Sequence, residues 1–252
     1  MSDIEEKQKI EIEFWRDSIH ESPEADSIHN IINKASFFRV LMDCFSRHAT
    51  KLSSNGSVLE LGSGQGWASC LYKRLHPNAH MTVTDISRYA IMSLPTWERI
   101  FEVEIDNSYD CKSYETHEKA ASLDLIYCFA SAHHFLAHKR TLKEISRILK
   151  PDGTAIFFFE PATPKYLHRL SSWRVNRKRP EVPEDVLITS ELDQIARKAG
   201  LDMVVDYYPT LLNRGPLESV YFAVLAQLPI LQRILPCSAN FLFTKRAADH
   251  EG

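Results

Sequence analysis

Val58-Leu59-Glu60-Leu61-Gly62-Ser63-Gly64-Gln65-Gly66 is the stretch from which the rest of the chain is read. A short apolar run ends in an acid, then in glycines at alternate positions. Three of the chain's eight glycines fall in this window. The pattern predicts a buried strand and a tight turn whose missing Cβ atoms let a ligand touch backbone. Trp67 to Leu75 carries apolar groups at helical spacing, so the turn opens a helix. Strand, turn and helix make half of a nucleotide-type crevice, with amide N–H groups aimed at the ligand.

Spacing decides between ligands. In the dinucleotide fingerprint G-x-G-x-x-G the third glycine would fall at Trp67, and an indole cannot stand where close helix–strand packing needs a hydrogen. The Gly-Lys-Ser/Thr of a phosphate-binding loop is absent. An acid two residues before a G-x-G-x-G turn instead resembles motif I of the class I S-adenosylmethionine-dependent methyltransferases, with Glu60, Gly62, Gly64 and Gly66 at the matching positions. A plain tight turn would also read this way, so the remaining elements must carry weight.

Composition narrows the class. With 252 residues, 44% of them hydrophobic, the chain can bury one substantial core. A net charge of −3 gives no global attraction to nucleic acid. The five cysteines are scattered, with no C-x-x-C pair. Reduced thiols in a cytoplasmic setting are therefore expected, without structural zinc. The first residues are acidic and lack the apolar core of a signal peptide. The most apolar stretch, Val220 to Leu235, is interrupted by Gln227, Pro229, Gln232 and Arg233, so no transmembrane segment is expected.

Residues 1–50 read as a helical cap, followed by one domain over 51–252. Cap helices of this kind either close over a ligand or cover a sheet edge. Trp15 is the cap's candidate for substrate contact, although a Trp on an amphipathic helix is more often core. His80 to Asp85 reads as a second strand ending in an acid, 19 residues past Gly66. Asp85 there can accept hydrogen bonds from ribose hydroxyls or cap the following helix. Phe101 to Ile105 reads as the third strand; in the methyltransferases that the glycine turn resembles, a polar residue shortly after this strand hydrogen-bonds the adenine amine, which implies Asp106 as the nearest match, with Asn107 and residues up to Cys111 competing. Leu123 to Phe129 reads as a central parallel strand. After it come His133 and His134, an amphipathic helix ending Arg147-Ile148-Leu149-Lys150-Pro151-Asp152-Gly153, and a fifth strand at Thr154 to Phe159.

That series is similar to the small-molecule methyltransferases allied to the ubiquinone/menaquinone biosynthesis type, over roughly Val58 to Pro161. The resemblance implies a Rossmann-like α/β fold: a seven-stranded, mostly parallel sheet of order 3-2-1-4-5-7-6 with helices on both faces. It implies S-adenosyl-L-methionine as cofactor, leaving as S-adenosyl-L-homocysteine. The implied cofactor residues are Glu60, Gly62, Ser63, Gly64, Gly66, Asp85, Ile86, Asp106 and Phe129. Two inserts are expected, a basic lid-like one near 162–185 and a helical one near 216–236.

Methyl transfer from a sulfonium needs an aligned nucleophile and exclusion of water. A general base helps when the acceptor is a hydroxyl, and His133 and His134 are the candidates, since imidazole titrates near neutrality. Either ring can equally well just pack beneath the cofactor. His134 and His138 have metal-ligand spacing, but no carboxylate or thiol nearby completes a set, so no metal is expected. The Asn/Asp-Pro-Pro-Tyr of amine-methylating nucleic-acid enzymes is absent after the fourth strand, which disfavours a nucleic-acid acceptor. Lys165 to Arg179 gathers Lys165, His168, Arg169, Arg174, Arg177, Lys178 and Arg179 around Tyr166 and Trp173. Arg174 and Arg177 are candidates for gripping an anionic acceptor, against a solvated basic surface. The expectation is a small-molecule methyltransferase, O-methylation favoured over N or C, with an anionic or lipid-linked acceptor and a homodimer left open. Its rivals are an RNA or protein methyltransferase and a non-catalytic cofactor-binding module.

Overall fold

The computed structural model describes residues 3–23, 28–52, 54–177 and 185–246. Two helices, α1 (Asp3–Asp17) and α2 (Ile28–Arg47), precede a first half in which strands and helices alternate. That half comprises β1 (Ser57–Leu61), α3 (Trp67–Leu75), β2 (His80–Asp85), α4 (Arg88–Ile91), α5 (Leu94–Phe101), β3 (Asn107–Asp110), β4 (Leu123–Phe129) and α6 (His138–Ile148). The second half runs β5 (Leu149–Thr163), α7 (His168–Asn176), β6 (Leu187–Ile188), α8 (Thr189–Lys198), β7 (Leu201–Tyr207), α9 (Pro216–Gln227), α10 (Pro229–Ile234) and β8 (Cys237–Lys245).

The sheet order is β3-β2-β1-β4-β5-β8-β7, with the two-residue β6 beside the end of β5. Setting β6 aside, this is the expected 3-2-1-4-5-7-6 order. β8 alone runs against its neighbours, so β7 points the same way as β5. The C-terminal ends of β1, β2, β4, β5 and β7 therefore share one pole of the molecule. Period-two alternation builds a core on each face. Val58, Leu125, Tyr127, Ile156 and Phe158 face α2 and α3. Leu59, Leu61, Ile126, Cys128, Phe157, Phe241 and Phe243 face α6 and α8.

The third strand is a correction. Pro95 sits in the first turn of α5, where its missing N–H costs nothing, and the helix runs on through Phe101. Glu102 then turns left-handed at φ 54°. Phe101, Val103 and Ile105 alternate like a strand but pack against the helical side of the core. The real β3 is polar because it is the sheet edge. The helical insert is likewise two pieces, divided at Pro229.

A bulge in β5 matters for the site. Between Phe157↔Phe241 and Glu160↔Ala239 the strand carries one extra residue, and Phe159 adopts φ 55°. Asn240 Oδ1 accepts the Phe159 N–H at 2.9 Å. Such a bulge re-aims the next side chains of its strand, and here it turns Glu160 beneath the loop after β4. The same Asn240 belongs to a clamp on α2. Arg47 pairs with Asp206 at 2.7 Å, and His48 Nε2 and Asn240 Nδ2 approach the same carboxylate at 3.1 and 3.0 Å.

Candidate active site

At the shared pole, a cavity of about 500 Å³ opens between the glycine turn, the end of β2, the loop after β4 and the two N-terminal helices. That volume suits a small-molecule ligand. Its floor is the turn. Gly62 has φ 64°, and a Cβ there would sit 2.9 Å from both the Phe135 ring and Ser131 Oγ. Gly64, at φ 55°, faces the Trp15 indole, which a Cβ would approach to 3.0 Å. Only glycine combines these dihedrals with such close neighbours. The Ser63 N–H donates to Thr84 O at 2.9 Å and its carbonyl accepts from Gly66 N–H at 3.1 Å, so the loop is closed on itself.

Asp85 holds this turn from the side. Oδ2 accepts the Gly64 N–H at 2.8 Å and Oδ1 the Ser87 N–H at 2.9 Å. Burial pushes its carboxyl up to about 6, against the pull of those N–H groups. Each oxygen keeps lone-pair capacity for a further donor. Asp85 therefore braces the loop and still lines the cavity beside Ile86.

Gln65, inside the glycine motif, joins the cap to the floor. Its Oε1 accepts from Asn30 Nδ2 at 2.9 Å and Trp97 Nε1 at 3.3 Å, and its Nε2 donates to Glu21 O at 2.8 Å. From the cap come Glu11, Phe14, Trp15, Glu21, Lys34 and Phe37. Lys34 pairs with Glu21 at 2.7 Å in a mostly buried contact. Trp15 Nε1 donates to Glu11 Oε1 at 3.2 Å, while Glu11 Oε2 lies 3.6 Å from His134 Nδ1. The opposite wall is aromatic. Phe129 meets Trp67 edge-on at 5.7 Å and stacks on Phe159 at 6.1 Å.

The two histidines divide. His134 lines the cavity; His133 does not. His133 Nδ1 lies 2.8 Å from Oε2 of the fully buried Glu160, whose oxygens also accept the backbone N–H groups of Ser131, Ala132 and His133. The His133 ring packs 4.3 Å from that of His134. Glu160, invisible as a site residue in the sequence, is thus the anchor of the whole 131–133 turn.

Of the residues singled out in the sequence, Gly62, Ser63, Gly64, Asp85, Ile86, Phe129, His134 and Trp15 line one cavity. Others lie elsewhere. Glu60 points away from the cavity into the core beneath α3, accepting from the Ser69 hydroxyl and from Tyr127 OH, because side chains alternate along β1. Gly66 begins α3 rather than facing the ligand space. Asp106 sits at the far pole, before β3, where it pairs with Lys73 and accepts the Met81 N–H, at 2.7 and 2.8 Å. Against the upward push of burial, these partners hold its carboxyl low. Past the end of β3 the cavity is lined by Cys111, Ser113 and Tyr114. Arg174 pairs with Glu218 at 3.0 Å, and Arg177 lies over the Trp173 ring at 5.4 Å; neither lines the cavity. Lys178 and Arg179 lie outside the described residues.

Among the missed residues, Glu11, Glu21 and Lys34 carry no local signal, because charged helix residues are ordinarily solvated. Phe37, an apolar residue on a helix, is indistinguishable by sequence from an ordinary core position. The floor fits an adenosyl amino acid: a Cβ-free backbone, an acid with spare acceptor capacity at the end of β2, and a polar corner at Cys111 and Ser113.

Residues 34–205 match the family model described as a methyltransferase domain. No curated protein matches the chain. Among solved structures, geranyl diphosphate C-methyltransferase from Streptomyces coelicolor superposes with a TM-score of 0.66 at 12% identity, covering 96% of this chain and 98% of that one. Phosphoethanolamine N-methyltransferase 2 from Haemonchus contortus gives 0.66 at 13% identity, over 94% of this chain. The present chain spans 60% of that nematode protein's length. The YcgJ protein of Bacillus subtilis gives 0.60 at 15% identity, over 83% and 99% of the two chains. At these identities the likeness is one of fold.

Proposed function

The chain belongs to the class I S-adenosylmethionine-dependent methyltransferases, and from that premise we propose that it methylates a hydroxyl on a small acceptor with an apolar body. The cofactor, when bound, supplies a methyl group on a positively charged sulfur, already activated for in-line displacement. Gly62 and Gly64, with no side chains, and the Ser63 backbone between them would hold its amino-acid end, Asp85 would accept from its sugar, and Cys111 and Ser113 would border its base. Phe129, Phe37 and Trp15 keep water from the reacting centre.

The observation that carries the reading is His134 in the cavity wall, 3.6 Å from the Glu11 carboxylate. An imidazole there can take the acceptor's proton, and a neighbouring carboxylate stabilises the imidazolium that results. His133 acts by position: held on Glu160, it packs against His134 and fixes that ring. Neither expected basic grip, Arg174 or Arg177, lines the cavity, and Lys34 is already paired. The aromatic wall therefore favours an uncharged, apolar acceptor body over an anionic one. The five cysteines are all free, which supports a reducing compartment such as the cytoplasm.

The test is a panel of hydroxyl, amine and carbon acceptors with labelled cofactor. Methyl transfer to a hydroxyl is expected, with His134→Gln lowering kcat about 10²- to 10⁴-fold and leaving cofactor affinity intact. Transfer to amines alone, or a His134→Gln enzyme with an unchanged pH–rate profile, overturns the reading.

A further inference from the structure

The helices hung on the second half of the sheet leave a face that the core does not use. From Tyr166 to Arg177, exposed positions recur at helical spacing. Tyr166, Leu170 and Trp173 are apolar or aromatic, with Arg169, Arg174 and Arg177 beside them. α9 is apolar nearly all round. Phe222 and Leu225 are buried, while Leu217, Val220, Val224 and, just past its end, Leu228 form an outward stripe, with Leu217 88% and Val220 67% exposed. A helix apolar on every side belongs inside a core or against something else. The stripe continues into α10 through Ile230 and Ile234. The pieces are joined, since Arg174 bridges to Glu218 at 3.0 Å and Tyr166 OH donates to Ile234 O.

The charge of this face opposes that of the chain. Residues 165–177 contain Lys165, Arg169, Arg174 and Arg177 and no acid, in a protein of net charge −3. Lys165 and Arg174 are paired with Glu191 and Glu218. No carboxylate among the described residues pairs with Arg169, Arg177 or Arg233. Exposed Trp and Tyr, aliphatic side chains and cations on one face are the composition of a surface that lies at a lipid headgroup boundary. Among the described residues no helix is long and apolar enough to cross a membrane, so a helix lying along the surface is the geometry available. Topology adds direction, because α7 follows the end of β5 and α9 follows the end of β7. Both ends lie at the pole that holds the cavity.

We propose that the α7–α9–α10 face docks this protein on an anionic lipid bilayer, apolar stripe in the interface and arginines on the headgroups, with the cavity's pole toward the membrane. The docking does not depend on the methyl-transfer chemistry.

The experiment is co-sedimentation of the full chain with phosphatidylcholine vesicles, with and without phosphatidylglycerol, over a range of salt. Binding to the anionic vesicles that weakens as salt rises is expected. Arg169→Gln and Arg177→Gln should each weaken it about fivefold, and Leu217→Ser with Val220→Ser should abolish it. Cofactor uptake by the same variants, measured calorimetrically, shows that they are folded. Absence of binding to anionic vesicles overturns the proposal, as does equal binding by the Leu217→Ser/Val220→Ser variant. A dimer in light scattering that this variant dissolves, without vesicle binding, assigns the face to a second copy of the chain instead.

Discussion

Glu60 and Asp85 are carboxylates buried on either side of one glycine turn, and they do different work. Burial pushes Glu60 up to about 8, against the hydrogen bonds from Ser69 and Tyr127. A carboxyl whose folded pKa lies above its unfolded one holds more protons when folded, so stability falls as pH rises between the two values. For Glu60 that window runs from about 4.5 to about 8. Glu60→Gln keeps a hydrogen-bonding side chain and removes the charge. We expect its unfolding free energy to decline less than that of the wild type between pH 5 and 9, by an amount on the order of a few kcal/mol at the alkaline end, read as a smaller fall in thermal midpoint. Cofactor affinity should be unchanged, since Glu60 does not reach the cavity. Asp85→Asn should behave the other way, weakening cofactor uptake about ten- to hundredfold, the worth of hydrogen bonds to a charged acceptor. If calorimetry finds Glu60→Gln the more damaging to cofactor binding, the roles given to the two acids are reversed. The sequence exposed Gly62, Gly64 and Asp85 because each answers a backbone demand that few residue types meet. Glu11, Lys34 and Glu160 answer demands set by other elements, and nothing local to them in the sequence marks that.

At the scale of elements, β1, β2, β4 and α3 were legible because burial on both faces or one face leaves a clean apolar pattern. β3 was not. An edge strand with little to bury has no apolar signature, while Phe101, Val103 and Ile105 imitate one, and the error carried Asp106 into the wrong pole. Nor did the pattern of α2 reveal what fixes it. Asp206 receives Arg47, His48 and Asn240 at once, and against the upward push of burial these partners hold its carboxyl well below the usual range. With a depressed folded pKa, the clamp contributes fully above the ordinary carboxylate value of 3.8 and is lost as pH falls below it. Asp206→Ala should destabilise the protein by about 2 kcal/mol at neutral pH, less than a fully buried pair would, because Arg47 is exposed to solvent. The wild type and variant should converge in acid. A variant that melts with the wild type at pH 7 means that the packing of α2, not the clamp, holds the cap.

Across the whole molecule, the sheet carries two separate assignments along one pole. The β1–β2–β4 side, with α1 above it, encloses the cavity, α2 reaches from the cavity across to β7 and β8 through the Asp206 clamp, and the β5–β8–β7 side carries α7, α9 and α10. A ligand on the glycine turn touches the first side and none of the second. Gln65 ties the turn to the cap, being bonded both to Asn30 of α2 and to the Glu21 carbonyl. Amide hydrogen exchange reads this directly, because protection follows the free energy of local opening. On adding S-adenosylhomocysteine, slowed exchange is expected in α1, in the 62–66 turn, at the start of α4 and in the 130–136 loop. α9 and α10 should exchange at the same rate with and without it. Protection that reaches α9, or an α1 indifferent to the ligand, would mean that the cavity and the outer helices form one mechanical unit, and that the cap is cover for the sheet edge rather than part of the site.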